Sequence, residues 1–260
     1  MEKIQQAIDK ARDSRKESNS GEKSSTNVET DLSNIQYTKT QSVNSSVAVQ
    51  RENRIVSGTE QNALANAFKI LSTQTIHRME EHDWKSLAVT SVSEGEGSTT
   101  VAINLGISIA KEVEYTVLLV DANLKAPGVH KHFGIEPEFG LSHYLNGEVE
   151  LSDILIKPEN INHFVILPGG ESSIDSSELL GSPRMAALVE ELKQRYPKRI
   201  IIFDLPAVLE TADTLSFIPS VDAALLVVED DVTKESSLKM AVDYLSETNI
   251  IGTVLNKAQY

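Results

Sequence analysis

Val89-Thr90-Ser91-Val92-Ser93-Glu94-Gly95-Glu96-Gly97-Ser98-Thr99-Thr100 passes from an apolar run through a glycine turn into the start of a helical pattern. Gly95 and Gly97 can take backbone angles closed to other residues, so successive amides can turn inward around an anion at the following helix N-terminus. The stretch reads as a phosphate-binding loop without its lysine, because Ser98 stands where Lys normally reaches the β- and γ-phosphates. Taken alone, it reads equally well as a polar loop with a Ser/Thr helix cap.

Around this loop, apolar and β-branched runs recur at Leu87–Thr90, Thr116–Val120, Phe164–Leu167, Ile200–Phe203, Ala223–Val228 and Ile250–Leu255. Helical patterns separate several of them, at Thr99–Lys111, Pro183–Tyr196 and Lys234–Glu247. Alternation of this kind predicts an α/β fold, a doubly wound and mainly parallel sheet of six buried strands covered on both faces. Such sheets bind ligands at the carboxyl ends of their strands, where the glycine loop sits.

Length and composition set the frame. The 260 residues, 40% hydrophobic, suffice for one α/β domain plus an extension. Cysteine is absent, which removes disulfides and thiolate chemistry. A formal net charge of −14 argues against a general grip on nucleic acid or anionic lipid. No apolar run has the length of a membrane span and no signal-peptide core is present, so a cytoplasmic location is expected.

Residues 1–16 carry Ile4, Ala7, Ile8 and Ala11 at helical spacing, with five basic against three acidic side chains, and read as a short amphipathic helix. Residues 17–53, dominated by Ser, Thr, Asn, Lys and Glu, read as a disordered linker. The folded domain is placed at 54–260. It opens with a helix near Glu60, where Leu64, Ala67, Phe68 and Leu71 share a face.

Two further strand ends carry acids. Leu118-Leu119-Val120-Asp121-Ala122-Asn123-Leu124-Lys125-Ala126-Pro127 puts a carboxylate after a buried strand, and Ile200-Ile201-Ile202-Phe203-Asp204-Leu205-Pro206 does so again. Mg²⁺ prefers oxygen ligands and keeps several waters, so the Thr99 hydroxyl with Asp121 and Asp204 forms a sufficient candidate metal set. Each aspartate alone also reads as a cap or a strand-end residue; three co-located strand ends favour a site. His130 and His132 lack a complete ligand set.

These motifs, with Ser176-Ser177-Glu178-Leu179-Leu180-Gly181-Ser182-Pro183-Arg184-Met185, resemble the bacterial tyrosine kinases, in particular the cytoplasmic branch associated with exopolysaccharide export, within the wider class of partitioning and Min-system ATPases. The resemblance runs from about residue 60 to the end. It implies a P-loop core that binds ATP or ADP with Mg²⁺, with Walker A at Gly95, Glu96, Gly97, Ser98, Thr99 and Thr100, Walker A′ at Asp121 to Pro127 and Walker B at Ile200 to Asp204. It also implies that Asp121 and Asp204 are catalytic and metal-site acids, that Thr99 is the hydroxyl ligand, and that Asn256 meets the adenine edge. Read as a residue alone, Asn256 is equally a strand-ending turn amide.

The chain departs from that pattern at several places. Ser98 replaces the Walker A lysine, and Asn123 replaces a second aspartate, keeping an oxygen but losing the charge. Asn66, Lys69 and Ser72 stand where relatives carry Glu, Arg and Arg used in ring assembly, which weakens any homo-oligomer. Tyr260 alone represents the tyrosine-rich tail that the kinases phosphorylate. Three functions follow as expectations: a weak or inactive kinase acting as a nucleotide-binding regulator of exopolysaccharide biosynthesis (a pseudokinase), an active tyrosine autokinase, or a partitioning-type ATPase. The last lacks its signature lysine, since Ser93 stands there. The partner implied by the resemblance is a membrane polysaccharide co-polymerase or chain-length regulator, which would bring a cytoplasmic protein to the periphery of the inner membrane.

Overall fold

Among the described residues, eight strands form one sheet in the order β1-β4-β5-β3-β6-β2-β7-β8. The strands are β1 (Gln41–Val43), β2 (Ser86–Ser91), β3 (Thr116–Asp121), β4 (Ile156–Pro158), β5 (Phe164–Leu167), β6 (Arg199–Asp204), β7 (Ala223–Glu229) and β8 (Asn249–Asn256). They come from a computed structural model that describes residues 40–56, 63–196 and 198–258. The six strands expected from sequence are β2, β3, β5, β6, β7 and β8, and they pair with one another in parallel. The added β4 runs antiparallel to β5, and β1 runs parallel to β4.

Side chains along the central strands alternate between two cores. Leu118, Val120, Ile201 and Phe203 join one, with helices α7 (Pro183–Arg195) and α9 (Glu235–Tyr244) on that face. Val117, Leu119, Ile200 and Ile202 join the other, under α3 (Ser98–Ala110). Period-2 alternation with both faces apolar is what a doubly covered parallel sheet requires. Helix α2 (Ala63–Glu81) lies outside α3, and this explains why Val101 to Ala110 are buried on every side of α3.

Residues 40–53 correct the expected linker. Gln41–Val43 form β1 and Val47–Glu52 form helix α1, and both belong to the fold. Val43 packs on the core, and polar chemistry adds to its hold: Gln50 is fully buried and donates to Ser45 Oγ at 2.8 Å, and Ser45 donates to the Phe133 carbonyl at 2.7 Å. Composition misses such a segment because its polar side chains are satisfied internally. The predicted helix of residues 1–16 and the linker over 17–39 lie outside the described residues.

The strand order sets the site. β6 lies between β2 and β3, so the loop after β2 opens beside the carboxyl ends of the two strands that carry Asp204 and Asp121. Between β3 and β7 run the short helices α4 (Val129–His132), α5 (Leu141–Asn146), α6 (Ser176–Leu180) and α8 (Asp213–Phe217).

Candidate functional site

Gly95 has φ 82° and Gly97 φ 93°, both in the left-handed region that favours glycine. Gly97 is the N-cap of α3 and has no side chain to accept from the first turn, so the amides of Ser98, Thr99 and Thr100 remain free for an external acceptor. The Ser/Thr cap that sequence allowed is therefore replaced by a glycine cap. Free first-turn amides at the positive end of a thirteen-residue helix suit an anion. Glu96 points the other way. Buried to 3% exposure, it accepts from Val92 N at 2.8 Å and from the Thr233 hydroxyl at 2.6 Å, which pins the loop from behind.

Asp121 and Asp204 are ladder partners on adjacent parallel strands and are buried to 0% and 1% exposure. One Asp121 oxygen, Oδ2, accepts from the amides of Gly128 at 2.9 Å and Val129 at 3.0 Å. The other, Oδ1, and the Oδ1 of Asp204 have no hydrogen-bond partner. Burial raises the Asp121 pKa to about 6, against the amide hydrogen bonds that oppose it. Asp204 is pushed well above the usual carboxylate range by burial and then by the Asp121 charge, opposed by a hydrogen bond from Thr99. Two buried carboxylates on paired strands, each with an unsatisfied oxygen, and the adjacent Thr99 hydroxyl fit a hard divalent cation, which would relieve both the desolvation and the repulsion.

Asn123 turns away from a ligand role: its Oδ1 accepts from Ala126 N at 3.2 Å and closes the local turn. Lys125 is exposed, and the His132 ring meets the Gly128 carbonyl at 3.1 Å. Among the described residues no cluster of three His, Cys, Asp or Glu stands ready for a metal, so Asp121 and Asp204 would need Thr99, water or a phosphate to complete a shell.

The end of β8 closes over the loop. Asn256 donates from Nδ2 to the Glu96 carbonyl at 2.7 Å, and a Cβ placed on Gly97 would collide with that amide. Lys257 donates to the Gly95 carbonyl at 2.8 Å and pairs with Glu229 at 2.7 Å. Sequence reasoning missed Lys257, Thr233 and Glu229, because more than 130 positions separate each contact with the loop from its partner and no local pattern marks them. The sole signal was that Lys257 follows Asn256 directly.

On α2, Asn66 and Lys69 are exposed, whereas Ser72 is buried and shares a 2.9 Å hydrogen bond with Ser108 of α3. The small hydroxyl at Ser72 lets α2 and α3 approach. Tyr260 lies outside the described residues.

A glycine loop opening a buried helix after a central parallel strand, beside two strand-end acids, defines a P-loop NTPase-like α/β protein. The homologues of this chain are bacterial tyrosine kinases. Tyrosine-protein kinase YwqD of Bacillus subtilis is 27% identical over 208 residues, which is 79% of this chain and 86% of the relative. Tyrosine-protein kinase etk of Escherichia coli is 32% identical over 192 residues, 73% of this chain but 26% of the relative. The succinoglycan biosynthesis transport protein ExoP of Rhizobium meliloti is 28% identical over 84% of this chain and 28% of its own length. Among solved structures, the kinase domain of E. coli ETK superposes with a TM-score of 0.70 at 25% identity, covering 85% of this chain and 91% of that domain. The cell division ATPase MinD of Pyrococcus furiosus gives 0.55 at 25% identity over 66% and 71%. No protein-family model matches the chain. Among the described residues no helix is long and apolar enough to cross a membrane.

Proposed function

We propose that this protein is a nucleotide-binding regulator of exopolysaccharide export, a tyrosine-kinase homologue whose own phosphoryl transfer is weak or absent. One observation carries the reading: the metal half of the site keeps Asp121, Asp204 and Thr99, with one unsatisfied oxygen on each carboxylate, while the phosphate half starts its helix with Ser98. Gly95 to Thr100 would hold the polyphosphate through backbone amides. Thr99, Asp121 and Asp204 would hold Mg²⁺, which when bound neutralises phosphate charge. Asn256, whose amide donates to the Glu96 carbonyl, would border an adenine.

Phosphoryl transfer depends on positioning and charge stabilisation, so the loss of a lysine acts on rate more than on binding. A charge-assisted hydrogen bond contributes roughly 1.5–3 kcal/mol, and such a contact at developing transition-state charge is worth about 10²-fold or more in rate. Isothermal titration with Mg-ATP and Mg-ADP, followed by a phosphotyrosine assay on the same sample, tests the reading. Binding without phosphorylation is expected. Robust transfer of labelled phosphate into the chain, abolished by Asp204→Ala, would return the protein to the active autokinases.

The proposed partner is a membrane polysaccharide co-polymerase, supported by the similarity to a polysaccharide transport protein. Docking is assigned to the N-terminal segment and to the helix near Glu60, α2. The test compares membrane co-purification of the full chain with a chain that begins at Thr40, which spares β1 and α1. Equal recovery rejects N-terminal docking, and absence of both from membranes rejects the partner.

A further inference from the structure

We propose that Lys257 replaces the missing loop lysine, supplying from the end of β8 the cationic contact to bound polyphosphate that Ser98 cannot make. The inference rests on the reading of the loop as a polyphosphate site and adds to it the source of its positive charge. Three buried acids border the loop, Glu96 in its back and Asp121 and Asp204 at the adjacent strand ends. A polyanion would enter such a place against repulsion unless a cation stood at the mouth.

Lys257 stands there. Its ammonium is 2.8 Å from the Gly95 carbonyl, in the turn whose amides would wrap the anion. Lysine carries three donors. Gly95 and Glu229 occupy two, and with the side chain 39% exposed the third can meet a phosphate oxygen without breaking either contact. A lysine held on the loop's own carbonyl is also pre-positioned, so little rotamer freedom is lost when ligand arrives.

The backbone supports a selected position. Lys257 has φ 60°, a left-handed conformation that costs a side-chain-bearing residue energy and persists where its surroundings hold it. The neighbouring Asn256 amide and the Asp230 N–H to Asn256 carbonyl bond at 3.0 Å provide that hold.

Lys257→Gln separates charge from bracing, because its amide can still donate to Gly95 while the positive charge is gone. Titrations of the full chain with Mg-ATP, tripolyphosphate and adenosine should show Lys257→Gln weakening the first two about tenfold or more. Adenosine should be unaffected, and Lys257→Arg should stay within about threefold of the parent. Glu229→Gln frees the ammonium from its counter-charge and should tighten Mg-ATP. It also decides the question if Lys257→Gln does not fold: unchanged or weaker affinity then overturns the proposal. A parent that binds Mg-ATP with Lys257→Gln unchanged overturns the role of Lys257 and leaves nucleotide binding standing. Equal losses for Gln and Arg, adenosine included, would make Lys257 a brace only. A parent that binds neither Mg-ATP nor tripolyphosphate overturns both readings.

Discussion

Aspartates at opposite edges of the same sheet are treated in opposite ways. At the amino edge, before β7, Asp222 accepts from the amides of Lys85 and Ser86 and from the Ser86 hydroxyl at 2.8–2.9 Å, and pairs with Lys193 at 2.8 Å. Burial alone would raise its pKa, but Lys193 and those amides outweigh it and hold the carboxyl below its ordinary range. At the carboxyl edge, Asp121 and Asp204 are more deeply buried, stand in register and each leave an oxygen unsatisfied. Asp222 is a finished structural clamp. The carboxyl-edge pair is destabilising on its own, and a protein keeps such a pair where a ligand completes it.

The largest expected effect breaks the carboxyl edge. Asp204→Ala or Asp121→Ala should remove the Mg²⁺ dependence of ATP binding and weaken Mg-ATP by about a hundredfold, the scale of losing a charged ligand in a dry site. Titrations with and without EDTA check this, and a variant that still needs Mg²⁺ for tight binding would place the metal elsewhere.

The pH dependence of stability comes next and separates the two edges by sign. Asp121 moves from 3.8 to about 6 in the folded protein, so its contribution is present below pH 4 and is lost as pH rises through about 6. Asp204 shifts in the same direction. Asp222 is depressed, so its contribution is present above pH 4 and is lost as pH falls through its folded value. Urea midpoints in EDTA should therefore decline from pH 4 to 7, the decline should flatten in Asp121→Asn, and millimolar Mg²⁺ should restore stability at pH 7.

At the amino edge, Asp222→Ala leaves two backbone amides and Lys193 without their acceptor. With the side chain 23% exposed, water recovers part of the loss, and about 1–2 kcal/mol of stability should go with Mg-ATP affinity unchanged. A change in nucleotide affinity would show that the two edges are coupled. The smallest effect sharpens the phosphate half: Ser98→Lys should tighten Mg-ATP by about three- to tenfold, less than a full charge-assisted contact if Lys257 already supplies one.

Much of the core was legible in the chain. The six parallel strands, the helices at 98–110 and 183–195 and the placement of Gly95, Asp121 and Asp204 at strand ends follow from local periodicity and turn chemistry. The segment over 40–53 was not legible, because Gln50 and Ser45 earn their burial through hydrogen bonds to Asn160 and Phe133, far along the chain. The contact of Ser72 with Ser108 was not legible either, because 36 positions separate the two hydroxyls.

By itself, then, the sequence determined the fold class, the glycine turn, the absence of a Walker A lysine and the two strand-end acids, since each depends on residues within one turn or one strand of each other. Tertiary structure alone decided that β6 falls between β2 and β3, which sets Asp121 opposite Asp204. It alone brought Asn256 and Lys257 onto a loop 160 residues earlier. Strand order arises from packing two apolar faces at once, and no local pattern encodes which strand ends will share a site.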